Sequence, residues 1–414
     1  VVLDADNGSF AGIDDPNTIR FSTRAAGPAA NASFLRVAAD GSGDFATLQG
    51  AIDHVPGGNT QLVTVRIEPG IYRELLHIPS NKAKIILQGS SRDEVTVTYL
   101  NNANRNPSNQ RASFYARAND LVLDSITFVN STPKGGSQAE TLNSSGHRLV
   151  VRDCAFYSLQ DTLKLSDGGV YFYSCYIEGD VDFLWDDADA YLENCVIHSA
   201  NKGYLVQTRN GQNDRGFVFV GCTLTGEEDA AGTYLGRIDP NVFPYSEAAF
   251  IDCAMGPHIA TEGWLLNNAE SAPSVRFYEY GSTDLGGTPL NLSGRMADST
   301  ILDESTAAQY RDSQWVTGFN TATPAWVAAL RNRDPLGWSF DSSLGWNWGY
   351  QSAEGDAGFF LWAYALSDWI YAYPIAADSV YFFAYGANAG WYFSNRVYGS
   401  WVWDFTQGSW KLLQ

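Results

Sequence analysis

The chain has 414 residues, enough for one large folded unit and a smaller one, and it carries no apolar run of about 18 residues that would span a membrane as a helix. A formal charge of −20 at pH 7 excludes a nucleic-acid binder on ordinary electrostatic grounds and disfavours strong attraction to a polyanion. Neither Cys-x-x-Cys nor His-Glu-x-x-His occurs, so no metal site is expected.

Residues 1 to 33 are rich in Ala, Asn, Asp, Gly and Pro without sustained periodicity and read as an extended arm. The start at Val1 rather than Met suggests a processed form. Residues 34–331 carry a repeat. They open with Gly41-Ser42-Gly43-Asp44-Phe45 and a short amphipathic segment from Leu48 to Val55. That segment is expected to cap the first turn as a helix, because an open solenoid end is an exposed sheet edge.

Further along, Leu121-Val122-Leu123-Asp124-Ser125-Ile126-Thr127-Phe128 aligns with Leu149-Val150-Val151-Arg152-Asp153-Cys154-Ala155-Phe156. The theme returns around Cys175, Cys195, Cys222 and Cys253, at steps from Ile126 of 28, 21, 20, 27 and 31 residues. Short alternating segments with insertions of variable length are the mark of a solenoid. Their β-branched and aromatic residues favour a parallel β-helix over helical repeats, and the pattern of a leucine-rich repeat is missing. One cysteine per turn reads as a stack of buried free thiols rather than disulfides.

Residues 332–414 change character. Nine of the 13 Trp lie there, in units such as Trp369-Ile370-Tyr371-Ala372-Tyr373 that alternate at strand period. A small antiparallel β-meander of three or four hairpins is expected. Core and cross-strand packing is the plain account of its aromatics, and a sugar-stacking surface the sharper one.

Two aspartates stand out against this period. Asp161 and Asp182 are 21 residues apart, as are Cys154 and Cys175. Each aspartate falls seven positions after its cysteine, so both occupy the same place on successive turns. Stacked strands lie about 4.8 Å apart. Two carboxyls that close rarely ionise together, which sets an acid beside a nucleophile.

The region from Gly41-Ser42-Gly43-Asp44-Phe45 onward resembles the pectin methylesterase (pectinesterase) family. The resemblance runs in order through Gly70-Ile71-Tyr72-Arg73-Glu74, Gln138-Ala139-Glu140-Thr141-Leu142, Gln160-Asp161-Thr162-Leu163, Tyr176-Ile177-Glu178-Gly179-Asp180-Val181-Asp182-Phe183 and Tyr234-Leu235-Gly236-Arg237 to Gly263-Trp264. It implies a right-handed parallel β-helix. It also implies removal of C6 methyl esters from methylated homogalacturonan (pectin), with Asp182 as nucleophile and Asp161 as acid/base. Gln138 and Gln160 match the oxyanion donors, and Arg237 the arginine that keeps the nucleophile charged. Val181 and Trp185 match positions that contact the sugar. The resemblance implies no cofactor and no metal, and a secreted, periplasmic or cell-surface location; a solenoid capped at both ends is expected to be a monomer. The usual esterase devices are missing, with no Gly-x-Ser-x-Gly elbow and no evident triad among five scattered histidines.

The chain also departs from the family pattern. Asp239 stands where a groove-lining Trp is usual, and Asp186, Asp187 and Asp189 follow Trp185. These acids are expected to repel free galacturonate carboxylates and to favour highly methylated stretches. Two other readings stay open: a non-catalytic polysaccharide-binding β-helix, and an esterase or thioesterase using the same dyad on another acyl group. A β-helix lyase or polygalacturonase shares the fold without its catalytic residues here.

Overall fold

In the computed structural model the described residues are 27–106, 110–321 and eight strands between Gly337 and Leu412. Most of the expected N-terminal arm, residues 1–26, lies outside them.

From Phe34–Val37 to Thr300–Ile301 the chain winds as a right-handed parallel β-helix. One sheet stacks eleven strands, all parallel, one from each successive coil. A second, fifteen-stranded sheet contains two runs, one beginning at Gly70–Tyr72 and the other at Leu76–Ile78. The runs merge because Tyr176–Asp186 and Val196–Thr208 are long enough to pass through both. Pairing of Thr127 with Ala155, then Tyr176, Val196, Thr223 and Ala254, reproduces the five steps expected from the repeat.

The turn between the two sheets explains the cysteine register. Each coil bends through one residue with a left-handed backbone: Ser125 (φ 59°), Asp153 (49°), Ser174 (53°), Asn194 (53°), Gly221 (61°) and Asp252 (54°). These are residue types that tolerate positive φ. The next residue points inward, so Ile126 and the five cysteines stack in the core, all five thiols free and buried. Rings stack along the same axis: Phe114 on Phe128 at 5.4 Å, Phe128 on Phe156 at 5.3 Å, and Phe219 on Phe250 at 4.5 Å.

The helix Leu48–His54 lies over the first coils and buries Leu48, Ala51 and Ile52. Thr47 caps it, and the Glu74 carboxylate accepts from the N–H groups of Leu48 and Gln49 at 2.9 Å each. Two short helices, Glu304–Tyr310 and Ser313–Thr317, set Ala307, Tyr310 and Val316 against Tyr191, Val218 and Ile251 of the eleven-stranded sheet. The eight strands from Gly337–Asp341 to Ser409–Leu412 form an antiparallel sheet in sequence order, a meander as expected. Its register puts Trp338, Trp348, Trp362 and Trp369 in one cross-strand row. Whether those rings pack or stack on sugar lies outside the described residues.

Candidate active site

Asp161 and Asp182 meet as the period requires. The pairings on either side, Ala155 with Tyr176 and Leu163 with Leu184, keep the 21-residue offset, so the two aspartates share a phase. Both have left-handed backbones, φ 67° at Asp161 and 51° at Asp182. The Asp161 N–H donates to the Val181 carbonyl at 3.0 Å, tying the coils together beside the pair. The strand carrying Asp182 shifts register on both sides of Val181 as it meets the following coil. That bend turns the aspartate out of the ladder.

The two carboxyls are then given different partners. Asp182 receives a bidentate guanidinium: Arg237 Nε donates to Oδ1 at 2.8 Å and Nη2 to Oδ2 at 2.6 Å. Gln207 Nε2 adds a third bond to Oδ2 at 3.1 Å. Among the described residues the Asp161 carboxyl accepts one bond, from Arg111 Nη2 at 2.7 Å. The same guanidinium donates through Nε to Glu140 at 2.8 Å, so its charge is shared. Burial pushes the Asp161 carboxyl up to about 7; Arg111 opposes that rise, while Glu140 and Asp182 add to it. One acid is thus disposed to hold a proton near neutrality while its neighbour sits in a three-donor cradle.

Gln138 and Gln160 lie on the two coils that lead into this pair. The Gln160 carbonyl accepts from Ala139 N–H at 3.0 Å, which fixes one coil against the next. The Gln138 carbonyl accepts from Ala103 N–H at 3.0 Å, and its side-chain Oε1 accepts from Ser137 Oγ at 2.7 Å. Among the described residues neither side-chain NH2 group has a protein acceptor.

The pectinesterase family profile matches residues 35–319. The chain belongs to the pectinesterase family. It is similar to pectinesterase 31 of Arabidopsis thaliana, 35% identical over 265 residues that cover 61% of this chain and 83% of that protein. Among solved structures it resembles the pectin methylesterase from carrot, with a TM-score of 0.65, 24% identity, and coverage of 77% of this chain and 100% of that one. A pectin methylesterase solved in complex with a hexasaccharide aligns with a TM-score of 0.58 and 22% identity over 70% of this chain and 98% of that one. At these identities the structures speak for the β-helix alone. Family membership makes the chain a carboxylic ester hydrolase.

Within this pectinesterase, a row of residues alternating with the buried core positions runs across the coils beside the aspartates. It passes through His77, Tyr115, Asn143, Lys164, Trp185 and Gln207, with Arg237 next, one position beyond the paired Val206 and Gly236. Trp185 is at its centre and only 5% exposed. Lys164 and Arg209 each lie 4.6 Å from its ring centroid and Arg111 lies 5.7 Å away, all within cation–π range. Val181 is half-buried and pairs with Tyr204.

The added acids are engaged locally. Asp186 accepts from Ser166 Oγ at 2.6 Å and pairs with Lys164 at 3.3 Å. Asp187 accepts from the Asp167 N–H at 3.1 Å, and Asp189 from the Arg215 N–H at 2.8 Å. Asp239 accepts from Asn241 N–H at 3.0 Å and Asn268 Nδ2 at 2.7 Å. Beside Trp185, one of these acids, Asp186, is paired with a cation, Lys164.

Sequence reasoning did not single out Arg111, Glu140, Gln207, Arg209 or Lys164. Glu140 stands inside the Gln138 motif, and Lys164 follows Asp161 by three positions as Trp185 follows Asp182, so phase could have found both. Arg111 reaches Asp161 from 50 residues away, and no local pattern points to it.

Proposed function

We propose that this pectinesterase removes C6 methyl esters from galacturonan and releases methanol, with Asp182 as nucleophile and Asp161 as acid and then base. The observation that carries the reading is the asymmetry of two in-phase aspartates, one pushed up to about 7 by burial and the other held by Arg237 and Gln207. A carboxyl near 7 suits a group that must both give and take a proton.

In the first half, an Asp182 oxygen bonds to the C6 carbonyl carbon and the carbonyl π electrons move to oxygen. Gln138 and Gln160 donate hydrogen bonds to that oxyanion, a contribution commonly worth a few kcal/mol. Collapse breaks the C–O bond to the methoxy group, which takes the Asp161 proton and leaves as methanol. In the second half, Asp161 removes a proton from water as its oxygen attacks the acyl carbon. The Asp182 carboxylate departs, a uronic acid is released and Asp161 is protonated again.

A related pectin methylesterase has been solved with a hexasaccharide, which supports an oligomeric uronate as the ligand class. The reading places the enzyme outside the cytoplasm, where polymeric pectin occurs, and takes it to act as a monomer. Methanol release from high-methyl pectin by the intact chain, set against Asp182→Ala, tests the proposal. Release lost in the variant supports it. A folded intact chain that releases none overturns it in favour of a polysaccharide-binding β-helix or another acyl substrate.

A further inference from the structure

The Asp161 carboxyl is not paired with a dedicated partner. Its guanidinium comes from Arg111, which lies in a loop held from both sides. Asn101 Nδ2 donates to the Gln110 carbonyl at 2.9 Å and to the Ala112 carbonyl at 2.8 Å. The Ala112 N–H donates to Tyr115 Oη at 3.0 Å. Arg111 therefore enters the site from a fixed base, and its two donors fall on two carboxylates, Asp161 Oδ2 and Glu140 Oε1.

Glu140 is 1% exposed, and its other oxygen, Oε2, is buried without a hydrogen-bond partner among the described residues. Its backbone carbonyl accepts from Ser113 N–H and Asn130 Nδ2, each at 2.9 Å, which fixes the backbone that carries the side chain. A buried, half-satisfied carboxylate destabilises a fold. Core packing is a poor reason for it here, because an apolar residue in that place would pack without the penalty.

We propose that Arg111 is a positioning residue for proton transfer, fixing the Asp161 carboxyl while Glu140 draws off part of its charge. The inference rests on the esterase reading above. When the Asp161 proton passes to the departing methoxide, the new negative charge stays 2.7 Å from Arg111 Nη2 and is stabilised there. The charge is discharged when Asp161 takes the proton of the attacking water. Arg111 unshared would hold Asp161 in its ionised form and starve the first step of its acid; Glu140 limits that pull.

The other charged groups around Asp161 come from neighbouring coils. Asp182 stands on the next coil, itself paired with Arg237, and Arg209 on the coil beyond. Burial raises the Glu140 carboxyl, Arg111 and, more weakly, Lys164 oppose that rise, and Lys164 is itself paired with Asp186.

The test is the pH profile of kcat/KM for methanol release, which covers the steps up to departure of methanol and falls at high pH as the acid is lost. Wild type, Glu140→Gln, Arg111→Met and the double variant are compared. Glu140→Gln is expected to move the alkaline limb down by about 0.5–1 pH unit, and Arg111→Met to move it up by a similar amount, with the double variant between them. Opposite shifts support the inference. Limbs that stay in place or move together, with only the rate reduced, overturn it, since a structural role has no reason to give opposite signs. Should Arg111→Met not fold, the isosteric Glu140→Gln decides alone: an alkaline limb moved down supports the inference, and an unmoved or raised limb overturns it. A wild type that releases no methanol refutes the esterase reading first, and is distinct from a wild type that releases methanol with unmoved limbs.

Discussion

Replacing Asp161 by Asn is expected to abolish turnover and yet stabilise the solenoid above neutral pH. The carboxyl is raised from its ordinary 3.8 to about 7, chiefly by burial. Below 3.8 it is neutral in both folded and unfolded chains. Between 3.8 and about 7 only the unfolded chain ionises, so stability falls as pH rises through that window. The full shift corresponds to ~4 kcal/mol, of which about 2–3 kcal/mol develops between roughly pH 5 and pH 8. The amide of the Asp161→Asn variant carries no charge and escapes that loss, so its advantage over wild type should grow by about 2–3 kcal/mol over the same interval.

The five cysteines supply a probe for this experiment. They are the only cysteines of the chain, all free and all buried in the β-helix, so thiol exposure in urea follows the solenoid and not the tryptophan-rich meander. A disulfide reagent that reacts at acid and neutral pH, such as dithiodipyridine, would titrate them in wild type and Asp161→Asn. An advantage that stays constant or shrinks from pH ~5 to ~8 would falsify the raised Asp161 carboxyl and the acid role built on it.

Arg237→Ala removes both guanidinium bonds to Asp182 and leaves it Gln207 alone. Methanol release is expected to fall by roughly 10²–10³-fold, and a loss under tenfold would count against the nucleophile assignment. Lys164→Met strips Asp186 of its cation beside Trp185. It should lower kcat/KM on low-methyl pectin more than on high-methyl pectin, and an equal effect on both would remove Lys164 from substrate selection. At the sheet-to-sheet turn, Asn194→Gly should be tolerated, as Gly221 already fills that place one coil on. Asn194→Val should cost about 1–3 kcal/mol in the thiol-exposure assay, because a β-branched residue is strained at φ 53°.

Much of this protein is settled by its linear period. A cysteine or Ile126 follows a residue of small, Asx or Gly type at each step, and that pair suffices to mark a left-handed bend and an inward position. Coil length, the thiol stack, the capping helix and the shared phase of Asp161 and Asp182 all follow from local chemistry repeated along the chain. So does the strand alternation that becomes the C-terminal meander. What the two aspartates are paired with does not follow from the period: the family resemblance points to Arg237 for Asp182, and nothing in the sequence points to Arg111 for Asp161. Arg111 and Arg237 arrive from 50 and 55 residues away, and coil insertions of variable length carry them. The reach of a guanidinium into the site depends on how each inserted loop folds back, which periodicity does not encode. The same holds for the acids after Trp185: the sequence shows four carboxylates, and only the packed coils decide that Asp187, Asp189 and Asp239 turn to nearby N–H groups while Asp186 meets Lys164. Which carboxyl is the acid is a matter of burial and neighbouring charge, both properties of the stacked coils and of no single one.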